Sequence, residues 1–212
     1  SSISINGNEL ILKKREVMFK DPKQLLNLGN SGTGARLLLG LISGLGLRST
    51  ITGDSSLSKR PMNRIIEPLK MMGARLNSDK GMLPISTQGS KIINNFEYEM
   101  PIASAQVKSC LLLTAISAKK NIKITEPKIT RDHTERMIDF FGGDIAYGNN
   151  QNSRLIELNY SELEPKDTFN VPGDFSSASF IIVATIISKD SEVLIKNVGL
   201  NESRKGLLEI LT

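Results

Sequence analysis

Three stretches of the chain place small polar residues at the mouth of an apolar, helix-like run. Leu28-Gly29-Asn30-Ser31-Gly32-Thr33-Gly34-Ala35-Arg36 opens the run Leu37 to Leu47, Ala103-Ser104-Ala105-Gln106 opens a second, and Gly173-Asp174 a third. The first backbone N–H groups of a helix lack internal partners and together carry about half a positive charge. With no Cβ at Gly32, an anion has room to approach them. The same composition also makes an ordinary N-cap, by Asn30 or Ser31, after a tight turn, and the residues alone leave both readings open. The stretch lacks the Gly-Lys-Ser/Thr of a phosphate-binding loop, and Gly32-x-Gly34 lacks the third glycine of a dinucleotide fingerprint. At the third mouth the Asp174 carboxylate would repel an anion or serve as a cap.

Cationic turns accompany these mouths: Lys59-Arg60-Pro61, Thr130-Arg131-Asp132-His133 and Arg204-Lys205. A guanidinium fork matches phosphate or carboxylate oxygens bidentately. One such unit-charge pair about 4 Å apart is worth roughly 4 kcal/mol at an effective dielectric near 20. Arg60 and Arg131 are therefore candidates to seat a pair of anionic ligands; the competing reading is solvated surface charge. No carboxylate pair forms a proton-transfer constellation, since Asp54, Glu67, Glu126, Asp132 and Glu135 each have a turn or capping explanation. His133 reads as a first-turn helix residue. Cys110, in Cys110-Leu-Leu-Leu-Thr-Ala-Ile, reads as a buried small hydrophobe. One histidine and one cysteine do not make a protein-built zinc site.

The elements that must position these groups recur. Strands over Ser2–Ile5 and Glu9–Leu12 flank an Asn6-Gly7 turn, and a polar stretch follows through Asp21-Pro22. The first copy of the repeat is an apolar helix (Ala35–Leu45), a strand (Ser49–Thr52), and a helix with Met62, Ile65, Ile66, Leu69 and Met72 on one face. Gly73 ends that helix, and Pro68 inside it predicts a kink or irregular turn. The second copy is Gln106–Ser117, a strand Asn121–Thr125, and a helix Arg131–Phe141 whose Asp132-His-Thr-Glu135 start resembles a capping box. The third is Ser177–Ser188, a strand Glu192–Val198, and a helix Ser203–Leu211. The spacing of the three helix starts marks a genuine internal repeat. The first helix of each copy is apolar nearly all round, which predicts helices surrounded by protein at the centre with sheets outside. Polar tracts at Asn149–Asn152 and Asn159–Pro172 lead to a domain boundary near Val171-Pro172-Gly173.

The 212 residues suffice for one large domain or one and a half small ones. No apolar run reaches membrane-spanning length, and the single cysteine fits a reducing cytoplasm. The net charge of +5 tolerates anions, but without tryptophan or an aromatic-interleaved basic stripe it argues against nucleic acid. Ser1 starts in a strand-like alternation and Thr212 stops inside a helical pattern, so both ends read as cuts.

Five motifs together, Leu28–Arg36, Gly53-Asp-Ser-Ser-Leu-Ser-Lys-Arg-Pro-Met62, Ala103-Ser-Ala-Gln-Val-Lys-Ser109, Thr130-Arg-Asp-His-Thr-Glu-Arg-Met137 and Pro172-Gly-Asp-Phe-Ser-Ser-Ala178, resemble the 5-enolpyruvylshikimate-3-phosphate (EPSP) synthases. The Arg-Asp-His-Thr-Glu stretch looks most like the bacterial subgroup called class II. The resemblance covers essentially the whole chain. It implies an α+β fold of βαβαββ modules, three per domain, with helices bundled inside. Residues 1–171 would be most of the first domain, as the tail of one module plus two full ones, and 172–212 the beginning of the second.

The resemblance also implies transfer of the enolpyruvyl group of phosphoenolpyruvate to the 5-hydroxyl of shikimate 3-phosphate by addition and elimination, with no metal or organic cofactor. Carried over motif by motif, Asn30, Gly32 and Arg60 would hold phosphoenolpyruvate, Ser104 and Arg131 would hold shikimate 3-phosphate, and Gln106 would touch both. Gly32 would leave space that an alanine methyl fills, implying sensitivity to glyphosate. The family's proton-transfer Asp, Glu and Lys have no counterparts here, so no catalytic residue is assigned and the chain alone is expected to be inactive. The missing partner is the second domain of the same chain, and the intact protein is expected to be a monomer. Two alternatives stand beside this reading: a UDP-N-acetylglucosamine enolpyruvyl transferase, which generally carries a cysteine in the loop equivalent to Gly53–Arg60, and a non-catalytic anion-binding module.

Overall fold

The computed structural model describes residues 2–13, 19–92, 94–150, 153–166 and 168–211. Parts of three predicted polar segments (14–18, 151–152 and 167) and the side chain of Arg204 lie outside the described residues. The opening hairpin forms as the alternation predicts, with β1 (Ser2–Asn6) antiparallel to β2 (Glu9–Lys13) and Gly7 at φ +57° in the turn.

One pattern then occurs twice. Its first use is β3 (Leu26–Asn27), α1 (Gly32–Leu45), β4 (Arg48–Thr52), α2 (Asn63–Met71), β5 (Leu76–Ser78) and β6 (Ile85–Gln88). The sheet order is β3-β4-β6-β5, the first pair parallel and the others antiparallel. The second use is β7 (Phe96–Glu99), α3 (Ala105–Ala118), β8 (Ile122–Glu126), α4 (His133–Phe140), β9 (Asp144–Asn150) and β10 (Ser153–Asn159). Its sheet, β7-β8-β10-β9, has the same parallel and antiparallel pairs. In both, the parallel pair needs a crossover, which the apolar helix supplies, and the two later strands close as a hairpin. This is the βαβαββ module, in an α+β chain.

Period-two alternation turns Ser49 and Ile51 of β4, and Ile122, Ile124 and Glu126 of β8, to the buried face of each sheet. On α2 the predicted face is buried throughout: Met62, Ile65, Ile66, Leu69 and Met72 are each at most 5% exposed. Each such side chain contributes about 1.5–3 kcal/mol by leaving water. The irregular turn predicted at Pro68 is absent. The helix runs through it to Met71, because Pro68 itself is buried on that face and its burial offsets the missing N–H.

A third copy begins but differs from expectation. α5 (Phe175–Ile187) is followed by a 3-10 turn at Glu202–Arg204 and by α6 (Gly206–Leu211). The predicted strand Glu192–Val198 does not form; among the described residues its pairing is a single parallel bridge from Val198 to Gly173. A strand needs a ladder, and β-branched composition alone does not make one. Nor is α5 surrounded by protein: Phe180 and Ile187 are about four-fifths exposed.

The chain divides into two compact units, residues 1–94 with 113–118, and residues 95–112 with 119–212. Within the first unit, α1 and the carboxyl-terminal half of α3 meet closely. Thr114 Oγ1 donates to the Gly40 carbonyl at 3.1 Å. A Cβ on Gly44 would overlap Ser117 Oγ and the Thr114 carbonyl oxygen. Since the backbone oxygen cannot yield, Gly44→Ala should destabilise the chain by about 1–3 kcal/mol in denaturant unfolding. Gly148→Ala, where a Cβ meets nothing within 4 Å, should leave the midpoint unchanged.

Candidate functional site

In the first unit the chain leaves β3 into a tight turn. Asn27 Oδ1 accepts from the Gly29 amide at 2.9 Å, and Gly29 sits at φ +54°. Ser31 is the N-cap of α1, its Oγ accepting from Gly34 N at 3.1 Å. The Gly32 amide bonds to the Asn30 carbonyl at 2.9 Å. These two amides of the helix mouth are therefore engaged, and capping accounts for them. The cationic character of the mouth comes instead from two guanidinium groups.

Gly32 is buried, contrary to the expectation of open space above it. A Cβ there would lie 3.0 Å from Arg36 Nη1 and 3.2 Å from Arg60 Nη1. The glycine makes room for two arginine heads against the first turn of α1. Arg36 donates from Nη1 to the Gly32 carbonyl at 3.0 Å and from Nη2 to the Pro61 carbonyl at 3.3 Å, tying that turn to the Arg60-Pro61 turn. Arg60 Nη2 donates to Asn30 Oδ1 at 2.7 Å, and Asn30 Nδ2 donates to Asp54 Oδ2 at 2.8 Å. Asp54 Oδ1 in turn accepts from the amides of Leu57 (2.7 Å) and Ser56 (3.0 Å). Asn30, Gly32 and Arg60, picked out separately in the sequence, thus form one corner, with Arg36 and Asp54 as supports that spacing did not reveal.

In the second unit Ser104 precedes α3, its carbonyl accepting from the Lys108 amide at 3.0 Å and its Oγ from Val107 N at 3.4 Å. Gln106 is in the first turn, half-buried. Arg131, also half-buried, lies in the turn before α4, which starts at His133 and not at Arg131. The capping box expected at Asp132–Glu135 is not made. Asp132 bonds instead to Arg136 Nε (2.9 Å) and Asn201 Nδ2 (2.8 Å). Burial pushes the Asp132 carboxyl up, but these two donors outweigh it and hold the group below its ordinary value. Glu135 points into the core.

Its destination is Lys108, a fully buried lysine on α3. The ammonium lies 2.7 Å from Glu135 Oε1 and 3.1 Å from Glu126 Oε1, both carboxylates fully buried. Glu126 accepts from the Thr130 amide (3.3 Å) and hydroxyl (2.7 Å), so it holds the turn that carries Arg131. Glu126 thus keeps the turn role expected of it while also pairing with Lys108, whereas the capping role expected for Glu135 gives way to the buried ion cluster. Arg154, 5% exposed and stacked 4.2 Å from the Tyr147 ring, stands opposite Glu126 in the ladder. It brings the inward charges among the described residues to two cations and two anions. The third mouth follows the capping reading, Asp174 Oδ2 accepting from Ser177 N at 3.0 Å. Cys110 is buried, as expected.

The sequence profile of the EPSP synthases (3-phosphoshikimate 1-carboxyvinyltransferases) matches residues 2–212. A 3-phosphoshikimate 1-carboxyvinyltransferase of Petrotoga mobilis is 46% identical over 98% of this chain and 48% of its own length. One from Legionella pneumophila is 47% identical over 91% of this chain and 44% of its own. Among solved structures, an EPSP synthase from Acinetobacter baumannii matches with a TM-score of 0.77 and 42% identity, over 91% of this chain and 43% of that one. The chain spans about half the length of the curated relatives it matches.

The corner around Asp54 has a measurable signature. Leu57 N–H and the Asn30 amide hold its carboxyl below the ordinary 3.8. With the folded value depressed, the support is complete above the unfolded value and is lost as pH falls through the folded one. Carbon-detected NMR titration should place the Asp54 midpoint below 3.8, and Asn30→Ala should move it upward.

Proposed function

This chain belongs to the EPSP synthase family, and from that membership we propose that it is one half of an enzyme joining phosphoenolpyruvate to shikimate 3-phosphate. Residues up to 171 form most of its first domain, and 172 onward begin the second. The protein works in the cytoplasm, as a monomer when intact, with phosphoenolpyruvate and shikimate 3-phosphate as its small-molecule partners.

The reading is carried by the corner in which Gly32 admits Arg36 and Arg60 side by side. Arg60 is pre-aimed by Asn30, so an arriving anion need not order the guanidinium, and its fixed fork suits the phosphate or carboxylate of phosphoenolpyruvate. Ser104 and Arg131 hold shikimate 3-phosphate, and Gln106 contacts both ligands. In the reaction the 5-hydroxyl gives up its proton as its oxygen bonds to the enol carbon, and the methylene carbon gains a proton to become a methyl. One methyl proton then leaves as the carbon–oxygen bond to phosphate breaks, which restores the double bond and releases phosphate. The arginines neutralise the charged groups and orient the two carbons, while acid and base must come from elsewhere in the intact enzyme. Asp54, the carboxylate at this corner, has both oxygens committed to hydrogen bonds.

Calorimetry on the 212-residue chain should show shikimate 3-phosphate binding more tightly than an unrelated polyanion of equal charge. Equal affinities would reduce the site to a basic surface. With both substrates the chain alone should release no phosphate. In the full-length enzyme Gly32→Ala should lessen inhibition by glyphosate, because the added methyl displaces the two guanidinium tips.

A further inference from the structure

Three groups assigned to shikimate 3-phosphate come from two segments: Ser104 and Gln106 from the mouth of α3, Arg131 from the turn before α4. Lys108 ties these segments together. It lies two residues after Gln106, and its amide bonds to the Ser104 carbonyl at 3.0 Å. Its ammonium reaches Glu126, which grips Thr130, and Glu135, in the first turn of α4. A second tie joins Ser109 Oγ to Thr134 Oγ1 at 2.6 Å. Arg131 is thus fixed by Thr130 on one side and by Thr134 and Glu135 on the other.

We infer that Lys108, with Glu126 and Thr130, is a positioning group: it sets the Arg131 turn in register with the mouth of α3, so that Ser104, Gln106 and Arg131 present a single ready-made seat. This rests on the ligand assignment above, but the positioning is testable apart from it. Breaking a hydrogen bond to a charged acceptor loosens the donor by an order of magnitude or so, and amide exchange reads that locally.

The experiment uses the 212-residue chain and the variants Thr130→Val, Thr130→Ser, Glu126→Gln and Lys108→Met. Thr130→Val leaves the buried charges intact, which keeps the test valid if Lys108→Met fails to fold. Exchange at the Thr130 and Arg131 amides should accelerate about tenfold in Thr130→Val and Glu126→Gln. The amides of β8 and β10 should keep wild-type rates, and Thr130→Ser should restore the original behaviour. Titrated with shikimate 3-phosphate, Thr130→Val should bind about tenfold more weakly than wild type. Wild-type exchange at Thr130 and Arg131 in folded Thr130→Val and Glu126→Gln chains overturns the inference, as does undiminished affinity in Thr130→Val. Accelerated exchange in a chain whose wild type binds no shikimate 3-phosphate upholds the positioning and refutes the ligand assignment.

Discussion

An ammonium group removed from water must meet its counter-charges inside the protein or lose several kcal/mol to desolvation. That constraint fixes how α3, β8 and α4 come together. Lys108 arrives on a helix, Glu126 on a strand and Glu135 on a second helix, and their setting brings both carboxylates within 3.1 Å of the ammonium. Removing one member of such a cluster costs about 3–5 kcal/mol, because the remaining charges are stranded. Well-packed apolar residues of the same volume could hold the fold comparably well. They could not grip Thr130, whose hydroxyl and amide both end on Glu126. The charge is better understood as a specification of register than as a source of net stability.

The first module holds its arginine-bearing turn by different means. Its first helix carries Arg36, whose guanidinium spans the Gly32 and Pro61 carbonyls, and the turn is braced by the Asp54–Asn30–Arg60 relay. Both modules share strand order and strand directions. What differs is where the bracing charge is kept: in the half-exposed corner in one, in the core in the other. Repetition of a backbone pattern therefore does not imply repetition of its electrostatics.

Much of this was legible in the residues. Helical periodicity marked the buried face of α2, and the similar spacing of the small polar mouths marked the repeat. Asn30 and Arg60 stood out as a helix mouth and a cationic turn, although their 2.7 Å bond could not be foreseen from positions 30 residues apart. The strands β3, β6, β7 and β10 were missed: the first three are two to four residues long, and in β10 a charged residue, Arg154, occupies one of the inward positions and masks the alternation. Glu126 does hold a turn, but its pairing with Lys108 was missed for want of one observation: it falls in phase with Ile122 and Ile124, and so on the inward face of its strand. Lys108, a charge just ahead of the apolar run Cys110-Leu111-Leu112, was a comparable signal. Asp132 and Glu135 fitted a local capping pattern, but distant partners, Asn201 and Lys108, claimed both side chains. The extra strand expected after α5 failed for a similar reason: propensity is local and a ladder is not.

The relay through Asp54 runs along a surface open to dissolved ions, whereas the Lys108 cluster lies behind packed side chains. Mobile electrolyte screens exposed charges over a distance of about 8 Å at physiological strength and reaches enclosed ones much less. The composition of the surrounding solution thus becomes a control on one arginine-bearing turn from which its counterpart is insulated.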